Sequence, residues 1–188
     1  MDDVELTHIA ACRAGKLEEF DPLYVAHADA IYRYVLRRTL SRAVAEDITS
    51  TVFLKALENI RSFDPRKSPL RAWLYRIARN SLIDYYRSHA RKTVDIETVW
   101  DLPGDEVASL GAERSIDAAK LHDAMKTLTA DQREVVMLRV WEGLSYAEIA
   151  TLTGKTESNA QMIFSRAIAG LRTNMPTLAL LLLFPRTL

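Results

Sequence analysis

The stretch Phe63-Asp-Pro-Arg-Lys-Ser-Pro-Leu-Arg-Ala-Trp-Leu-Tyr-Arg-Ile-Ala-Arg-Asn80 contains a break in helical structure and its restart. Two prolines, Pro65 and Pro69, interrupt any helix here, because proline lacks an amide hydrogen and clashes with the preceding turn. After Pro69 the apolar residues recur at intervals of three and four, which predicts a helix with one buried face. They are Leu70, Trp73, Leu74, Ile77, Ala78 and Leu82. The stretch therefore predicts a loop that leads into an amphipathic helix.

The same helical spacing extends back to the N-terminus, and no segment alternates convincingly with a period of two. One short stripe precedes Gly15, and two longer ones follow it. The members of the three stripes are Leu6, Ile9 and Ala10; Leu23, Ala30, Ile31, Tyr34 and Val35; and Ile48, Val52, Phe53, Ala56, Leu57 and Ile60. The sequence thus predicts an all-α fold whose N-terminal domain, residues 1–92, is a four-helix bundle.

Residues 118–175 predict a second domain of four helices. The first is marked by Ala118, Leu121, Met125 and Leu128, and two capping boxes and a capping threonine open the next three. The boxes are Thr129–Gln132 and Ser145–Glu148, and the threonine is Thr156. Gly143 and Gly154 follow the second and third helices, as expected of C-terminal caps.

Charge is unevenly distributed, although 25 basic and 25 acidic residues cancel over the 188 residues. Residues 61–92 carry a net charge of +7 and residues 93–117 a net charge of −6. The acidic segment contains Pro103, Gly104 and Gly111 without a clear period, so we interpret it as a linker between the two domains. The basic segment is interleaved with aromatic residues, which fits a nucleic-acid surface or, equally, a solvated helix face.

A short helix, a turn with Gly154 and a longer helix form the helix-turn-helix pattern, in which the second helix enters the DNA major groove. Its apolar stripe is Ala160, Ile163, Phe164, Ala167 and Leu171. The opposite face carries side chains that can pair with base edges, with cations near both ends for phosphates. These DNA-facing residues are Lys155, Ser158, Asn159, Gln161, Met162, Ser165, Arg166 and Arg172. Many helical hairpins with glycine turns never touch DNA, so the pattern alone leaves that alternative open.

Three segments together resemble the bacterial RNA polymerase sigma factors of the small, two-domain extracytoplasmic-function class. Residues 45–57 look like the polymerase-binding helix, residues 63–87 like the promoter-melting segment, and residues 128–150 like the second DNA-binding domain. The resemblance implies a transcription initiation factor that binds core polymerase, directs it to promoters and promotes strand opening at the downstream element. It also implies contacts with the β′ clamp helices and the β flap of the polymerase, and an anti-sigma factor as a further partner.

The resemblance assigns residues to these tasks by position. Polymerase binding falls to the exposed face of the helix with Asp47, Thr49, Ser50 and Leu54. The downstream promoter element falls to Phe63, Arg66, Lys67, Arg76, Arg79, Asn80 and Arg87. Trp73 lies on the apolar stripe, so core packing is favoured over base stacking.

No cofactor, metal site or catalytic function is expected. The four histidines are far apart in sequence, and the single cysteine, Cys12, is expected to pack in the first helix. The acidic N-terminus carries no secretory signal, and the longest apolar run, Leu178 to Phe184, is too short to span a bilayer, so a cytoplasmic location is expected. That run belongs to a hydrophobic C-terminal tail, residues 176–188, whose role is open.

Two alternatives remain at this level. One is a helix-turn-helix regulator that acts without polymerase, which leaves residues 45–91 unexplained. The other is a decoy that binds polymerase or an anti-sigma factor without starting transcription. The decoy stays open because uncharged residues stand on the last helix where basic ones are common in the family, namely Gln161, Ile163, Ile168 and Ala169.

Overall fold

The computed structural model describes residues 3–39, 41–89 and 123–174. Within these ranges it consists of helices and turns without a β-strand, so the all-α prediction is confirmed. The described residues belong to two units, one on each side of residues 90–122. The predicted linker at 93–117, residues 118–122 of the second domain and the tail at 176–188 lie outside the described residues.

The first unit contains the four predicted helices, with short 3₁₀ turns before the second and after the third. They are α1 (Asp3–Arg13), α2 (Asp21–Thr39), α3 (Arg42–Asn59) and α4 (Leu70–His89), and the 3₁₀ turns are Leu17–Phe20 and Ile60–Ser62. Ser41 caps α3, because its hydroxyl accepts a hydrogen bond from the amide of Val44 at 3.4 Å. Helix α4 begins directly after Pro69, where the sequence predicted the restart.

Helix α3 packs between α2 and α4, and the predicted stripes meet around it. Their buried members include Leu23, Ile31, Tyr34 and Val35 from α2, Ile48, Val52, Phe53 and Ala56 from α3, and Leu70, Leu74, Ala78 and Leu82 from α4. The rings of Tyr34 and Tyr75 meet edge to face at 4.9 Å between centroids, which joins α2 to α4. This core fixes the position of α3 against α4.

Helix α1 is fastened to the unit by two histidine–carboxylate contacts. His8 lies 2.7 Å from Glu19 in the first 3₁₀ turn, and Glu5 lies 2.7 Å from His27 of α2. Cys12, near the end of α1, is fully buried, as predicted. Burial raises the pKa of its thiol, and the nearby carboxylates of Glu19 and Glu18 add to that shift.

Within its described residues, the second unit contains three complete helices and helical residues at 123–126. The helices are α5 (Ala130–Val140), α6 (Tyr146–Thr153) and α7 (Glu157–Asn174). Both predicted capping boxes are present: the Thr129 hydroxyl accepts from the Gln132 amide, and the Ser145 hydroxyl accepts from the Glu148 amide. Thr156 caps α7, because its hydroxyl accepts from the amide of Asn159 at 3.2 Å. The caps thus set the ends of these helices where the sequence indicated.

The turns of this unit need glycine. Gly143 and Gly154 have φ of 63° and 71°, in the left-handed region that side chains other than glycine rarely adopt. Between α5 and α6 the turn is fixed further by Arg139, whose guanidinium donates to the carbonyl of Leu144 at 2.8 Å. The helix-turn-helix is therefore built by backbone geometry that the sequence specifies locally.

The core of the second unit lies between α5, α7 and the turn at 123–126. Its buried members are Ala124, Met125, Leu128, Val136, Met137, Ala167, Ile168 and Leu171. Buried Arg133 donates to the carbonyl oxygens of Met125 and Leu128, at 3.1 and 3.2 Å, and so holds that turn against α5. Ile168 belongs to this core, so it is not part of the face expected to meet DNA.

Candidate functional site

The loop before α4 is shaped by Asp64. The Asp64 carboxylate accepts hydrogen bonds from the amide and guanidinium of Arg66, and the Asp64 carbonyl accepts from the Lys67 amide at 3.0 Å. Aspartate at the first position of a turn and proline at the second favour this conformation. The side-chain hydrogen bond from Arg66, followed by the bond from its amide, lowers the pKa of Asp64. The turn leaves Arg66 and Lys67 exposed.

Phe63, which the resemblance assigned to the downstream promoter element, does not present its ring to solvent. Its ring is 4% exposed and packs on Trp73 at 4.8 Å between centroids. Trp73 is itself 8% exposed, which confirms the expectation that it packs in the core. Burial of the two aromatic rings is strongly favourable, so Phe63 anchors the start of the loop to the core.

A groove of about 410 Å³ lies where the end of α3 meets α4. Helix α4 contributes five residues that recur with helical spacing, and α3 with the 3₁₀ turn after it contributes three. The lining residues are Trp73, Arg76, Ile77, Asn80 and Asp84 from α4, and Lys55, Asn59 and Ser62. An apolar wall with amides, a hydroxyl and cations can bind an unstacked nucleobase and its phosphate, and the Asp84 carboxylate is the acidic group in this lining.

Hydrogen bonds preset part of this groove. The Lys55 ammonium donates to the Ser81 hydroxyl at 3.2 Å and lies 3.9 Å from the Asp84 carboxylate. The Asn59 amide nitrogen donates to the carbonyl of Lys55 at 2.7 Å, which fixes the orientation of the Asn59 amide group. Lys55 is thus held between the two helices and Asn59 is held within α3, whereas no such bond in the described part of the chain fixes Arg76 or Asn80 in the lining, and Asn59, Arg76 and Asn80 are all exposed.

The outer face of α3 carries three of the four residues expected to bind polymerase. Asp47 and Ser50 are exposed, and the apolar side chain of Leu54 is 59% exposed. Thr49 does not lie on this exposed face as expected, because it is 7% exposed and lies on the core side of the helix. Its hydroxyl has no hydrogen-bond partner within the described residues. A residue one position from the buried Ile48 and three from the buried Val52 falls inside a broad apolar stripe, which explains the error.

Helix α7 presents the predicted polar face. Ser158, Gln161, Met162, Ser165 and Arg166 are exposed, Asn159 is half-buried, and Arg172 is exposed near the end of the helix. Ala160, Ala167 and Leu171 are fully buried on the opposite side. Lys155, in the turn before α7, lies 2.8 Å from the Asp131 carboxylate of α5.

Both units match models of one protein family. Residues 23–92 match the model of sigma-70 region 2, and residues 118–170 match that of sigma-70 region 4. An RNA polymerase sigma-E factor of Streptomyces antibioticus is 30% identical over 164 residues, which cover 87% of this chain and 88% of that protein. The chain is an extracytoplasmic-function sigma factor. It is therefore a transcription initiation factor, which binds core RNA polymerase and directs it to promoters.

Further relatives of this sigma factor agree. The ECF sigma factor BldN of Streptomyces coelicolor is 35% identical over 171 residues, and the chain spans 64% of its length. Mycobacterium tuberculosis SigL is 28% identical over 173 residues, which cover 98% of that protein. The structure is also similar to that of the sigma factor RpoE of Bartonella quintana, which was solved in complex with the anti-sigma factor NepR. The TM-score between the two is 0.60 at 25% sequence identity, and the match covers 83% of this chain and 96% of that chain.

The structure of this sigma factor regroups the residues predicted for the downstream element. Arg76 and Asn80 line the groove, Arg66 and Lys67 lie on the loop, and Arg79 and Arg87 lie on α4 outside the lining. Sequence reasoning missed four polar groove residues: Lys55, Asn59, Ser62 and Asp84. Lys55 and Asn59 stand four positions apart, on one helix face, but only the packing of α3 on α4 shows that this face borders α4. No helix of the described residues is long and apolar enough to cross a membrane.

Proposed function

We propose that the groove between α3 and α4 receives an unpaired base of the downstream promoter element, while the outer face of α3 docks on the β′ clamp helices of core polymerase. The exposed face of α7 reads the upstream element, and the same unit meets the β flap. The observation that carries this proposal is the groove, because its lining combines the apolar Trp73 and Ile77 with amides, two cations and one carboxylate inside the region that matches sigma-70 region 2. Such a factor acts beside core polymerase, in the cytoplasm.

The groove fits a single extruded base. Its volume falls within the range of pockets that bind small organic ligands. Asn59 and Asn80 offer amide groups for a base edge, and Arg76 offers a cation for the adjoining phosphate. Extruding a base costs a few kcal/mol, which stacking and a fitted pocket offset. The Asp64 turn places Arg66 and Lys67 on the exposed loop next to α4, where further phosphates would be neutralised.

Strand opening tests the groove. Holoenzyme is assembled with each variant, and opening is followed with 2-aminopurine in the downstream element. Arg76→Ala and Asn80→Ala should each lower the extent of opening by about 5- to 150-fold, since each such contact is worth ~1–3 kcal/mol. Arg33→Ala, at an exposed arginine of α2 that pairs with Asp29 at 2.8 Å, should leave opening unchanged. Full opening by both groove variants would contradict the proposal.

Leu54 provides the test of the polymerase face. An apolar side chain this exposed gains from being covered by a partner, and a charge there would be buried at high cost. Leu54→Asp should weaken holoenzyme assembly by roughly 30-fold or more in a binding titration with core enzyme. Val25→Asp is the matched control, because Val25 of α2 is also an exposed apolar residue and is not assigned to the polymerase face. Equal loss in both variants, or in neither, would contradict docking through this face.

An anti-sigma factor is the further partner proposed here. Support comes from the structural similarity to RpoE, which was solved with the anti-sigma factor NepR. A partner of this kind should inhibit run-off transcription by the intact chain, and added core enzyme should relieve the inhibition. The same run-off assay separates an initiation factor from a decoy, because a decoy forms the complex with core enzyme and yields no transcript.

A further inference from the structure

The turn of the helix-turn-helix carries an ion pair with an acidic residue from another helix. Lys155 precedes the capping residue of α7, and its ammonium lies 2.8 Å from a carboxylate oxygen of Asp131. Asp131 stands in the first turn of α5, 24 residues earlier in the chain. Lys155 is the cation assigned to a DNA phosphate at the start of the recognition helix. Because it pairs with Asp131, its charge is already partly compensated when no DNA is bound.

We propose that Asp131 sets the DNA affinity of this unit by competing with backbone phosphates for Lys155. The inference rests on the proposed function of α7 and deepens it. In this arrangement, binding to DNA exchanges a carboxylate partner for a phosphate, and the gain from the new contact is reduced by the loss of the old one.

Asp131 can act on Lys155 in two ways: it can compete with a phosphate for the ammonium, or it can order the lysine side chain. The exposure of the two side chains favours competition. The Lys155 side chain is 20% exposed, so packing along its stem already limits its freedom. The Asp131 side chain is 58% exposed and has room to move away. We therefore expect Asp131 to act on Lys155 mainly through its charge.

Asp131 also opposes a phosphate that shares the lysine with it. An ammonium has three donors and can contact two anions at once. A phosphate on Lys155 would then lie close to the Asp131 carboxylate, well within the Debye length of about 10 Å at 0.1 M salt. The like charges repel, so Asp131 lowers the affinity whether the original pair opens or stays partly formed.

The salt dependence of DNA binding by the full chain tests this inference. Fluorescence anisotropy with a mixed-sequence duplex of about 25 base pairs suffices, because phosphate contacts are independent of sequence. Asp131→Asn should tighten binding by about two- to fivefold at 0.1 M salt, the factor expected of an exposed ion pair. The slope of log K against log salt should steepen by up to about 0.9, the value for one added phosphate contact. Lys155→Ala should remove both effects in the Asp131→Asn background.

Asp123→Asn is the matched control, since it removes one exposed carboxylate from the same unit, beside Lys126 at 4.0 Å. It should change neither affinity nor slope. Weaker binding or an unchanged slope for Asp131→Asn, or an equal gain for Asp123→Asn, overturns the inference. If Lys155→Ala weakens binding equally in both backgrounds, the proposed DNA contact stands and only the competition fails. If Lys155→Ala has no effect in the Asp131→Asn background, the proposed DNA contact of Lys155 fails too.

Discussion

Thr49 shows how a single polar side chain misleads a reading of helix faces. Its hydroxyl suggests solvent, and it stands between two residues assigned to the polymerase face, yet it lies among core residues of α3. A buried hydroxyl without a partner costs free energy, because its bonds to water are lost and not replaced. Thr49 therefore weakens the first unit slightly and contributes nothing to the outer face of α3.

Replacing Thr49 by valine should stabilise the protein. Thr49→Val keeps the shape of the side chain and removes the unpaired hydroxyl, so the free energy of unfolding should rise by about 1 kcal/mol. Thermal unfolding followed by circular dichroism should show an increase of a few degrees in Tm. Binding to core enzyme should not change. A loss of stability, or weaker binding to core enzyme, would show that the Thr49 hydroxyl has a partner or a role that its burial does not reveal.

The control for this variant is Thr51→Val. Thr51 is exposed on the same helix, and its hydroxyl donates to the carbonyl of Asp47 at 2.9 Å. Because the hydroxyl is solvated and bonded, its removal should bring no gain in stability. The contrast between the two threonines separates the effect of removing a buried, unpaired hydroxyl from that of exchanging a hydroxyl for a methyl group, which both variants share.

At the scale of elements, the ends of the helices were predictable and the surfaces between helices were not. Capping residues such as Thr129 and Ser145 act on amides three positions away, so sequence alone indicates them. The groove depends on Lys55 and Ser81 approaching across two helices, and the compensation of Lys155 depends on Asp131. Such contacts follow from packing over 24 residues or more, which no local pattern encodes.

Two glycines of the second unit should respond to alanine in opposite directions. Neither Gly154 nor Gly170 has an atom within 4 Å of an added Cβ, so space does not distinguish them. Gly154 has φ of 71°, where alanine costs about 1–2 kcal/mol. Gly170 lies inside α7, where alanine gains up to about 1 kcal/mol. Gly154→Ala should lower Tm and Gly170→Ala should raise it, and a shift of the same sign in both would refute the assignment of the turn.

The attachment of α1 can be measured through Cys12. Burial raises the pKa of its thiol, so little thiolate forms even when the pH approaches 8, and labelling needs α1 to open. At pH 8 a thiol reagent should label the folded protein at least about a hundredfold more slowly than the unfolded chain. Glu5→Ala, which removes the contact to His27, should accelerate labelling several-fold. Glu46→Ala, at an exposed acid of α3, should not.

At the scale of the whole molecule, the two units are proposed to act at different steps of one process. The groove of the first unit acts when the strands separate, and α7 of the second unit acts when the duplex is still closed. A groove that receives an unpaired base gains no base contact from an intact duplex, whose bases are stacked and paired. A recognition helix, in turn, reads the edges of paired bases. Each surface is thus assigned to the step at which the DNA exposes the chemical groups that this surface can bind.

Variants in the two units should therefore produce separable defects that add in free energy. On a promoter selected from a random library, Asn80→Ala should lower strand opening by holoenzyme and leave its affinity for a closed upstream duplex unchanged. Arg166→Ala should weaken that duplex affinity, by up to about tenfold, and spare the opening of complexes already formed. In the double variant the two losses should add within about 0.5 kcal/mol, because neither residue shares a partner or a step with the other. Weaker duplex binding by Asn80→Ala, or a double variant no worse than either single one, would mean that the two surfaces serve one step.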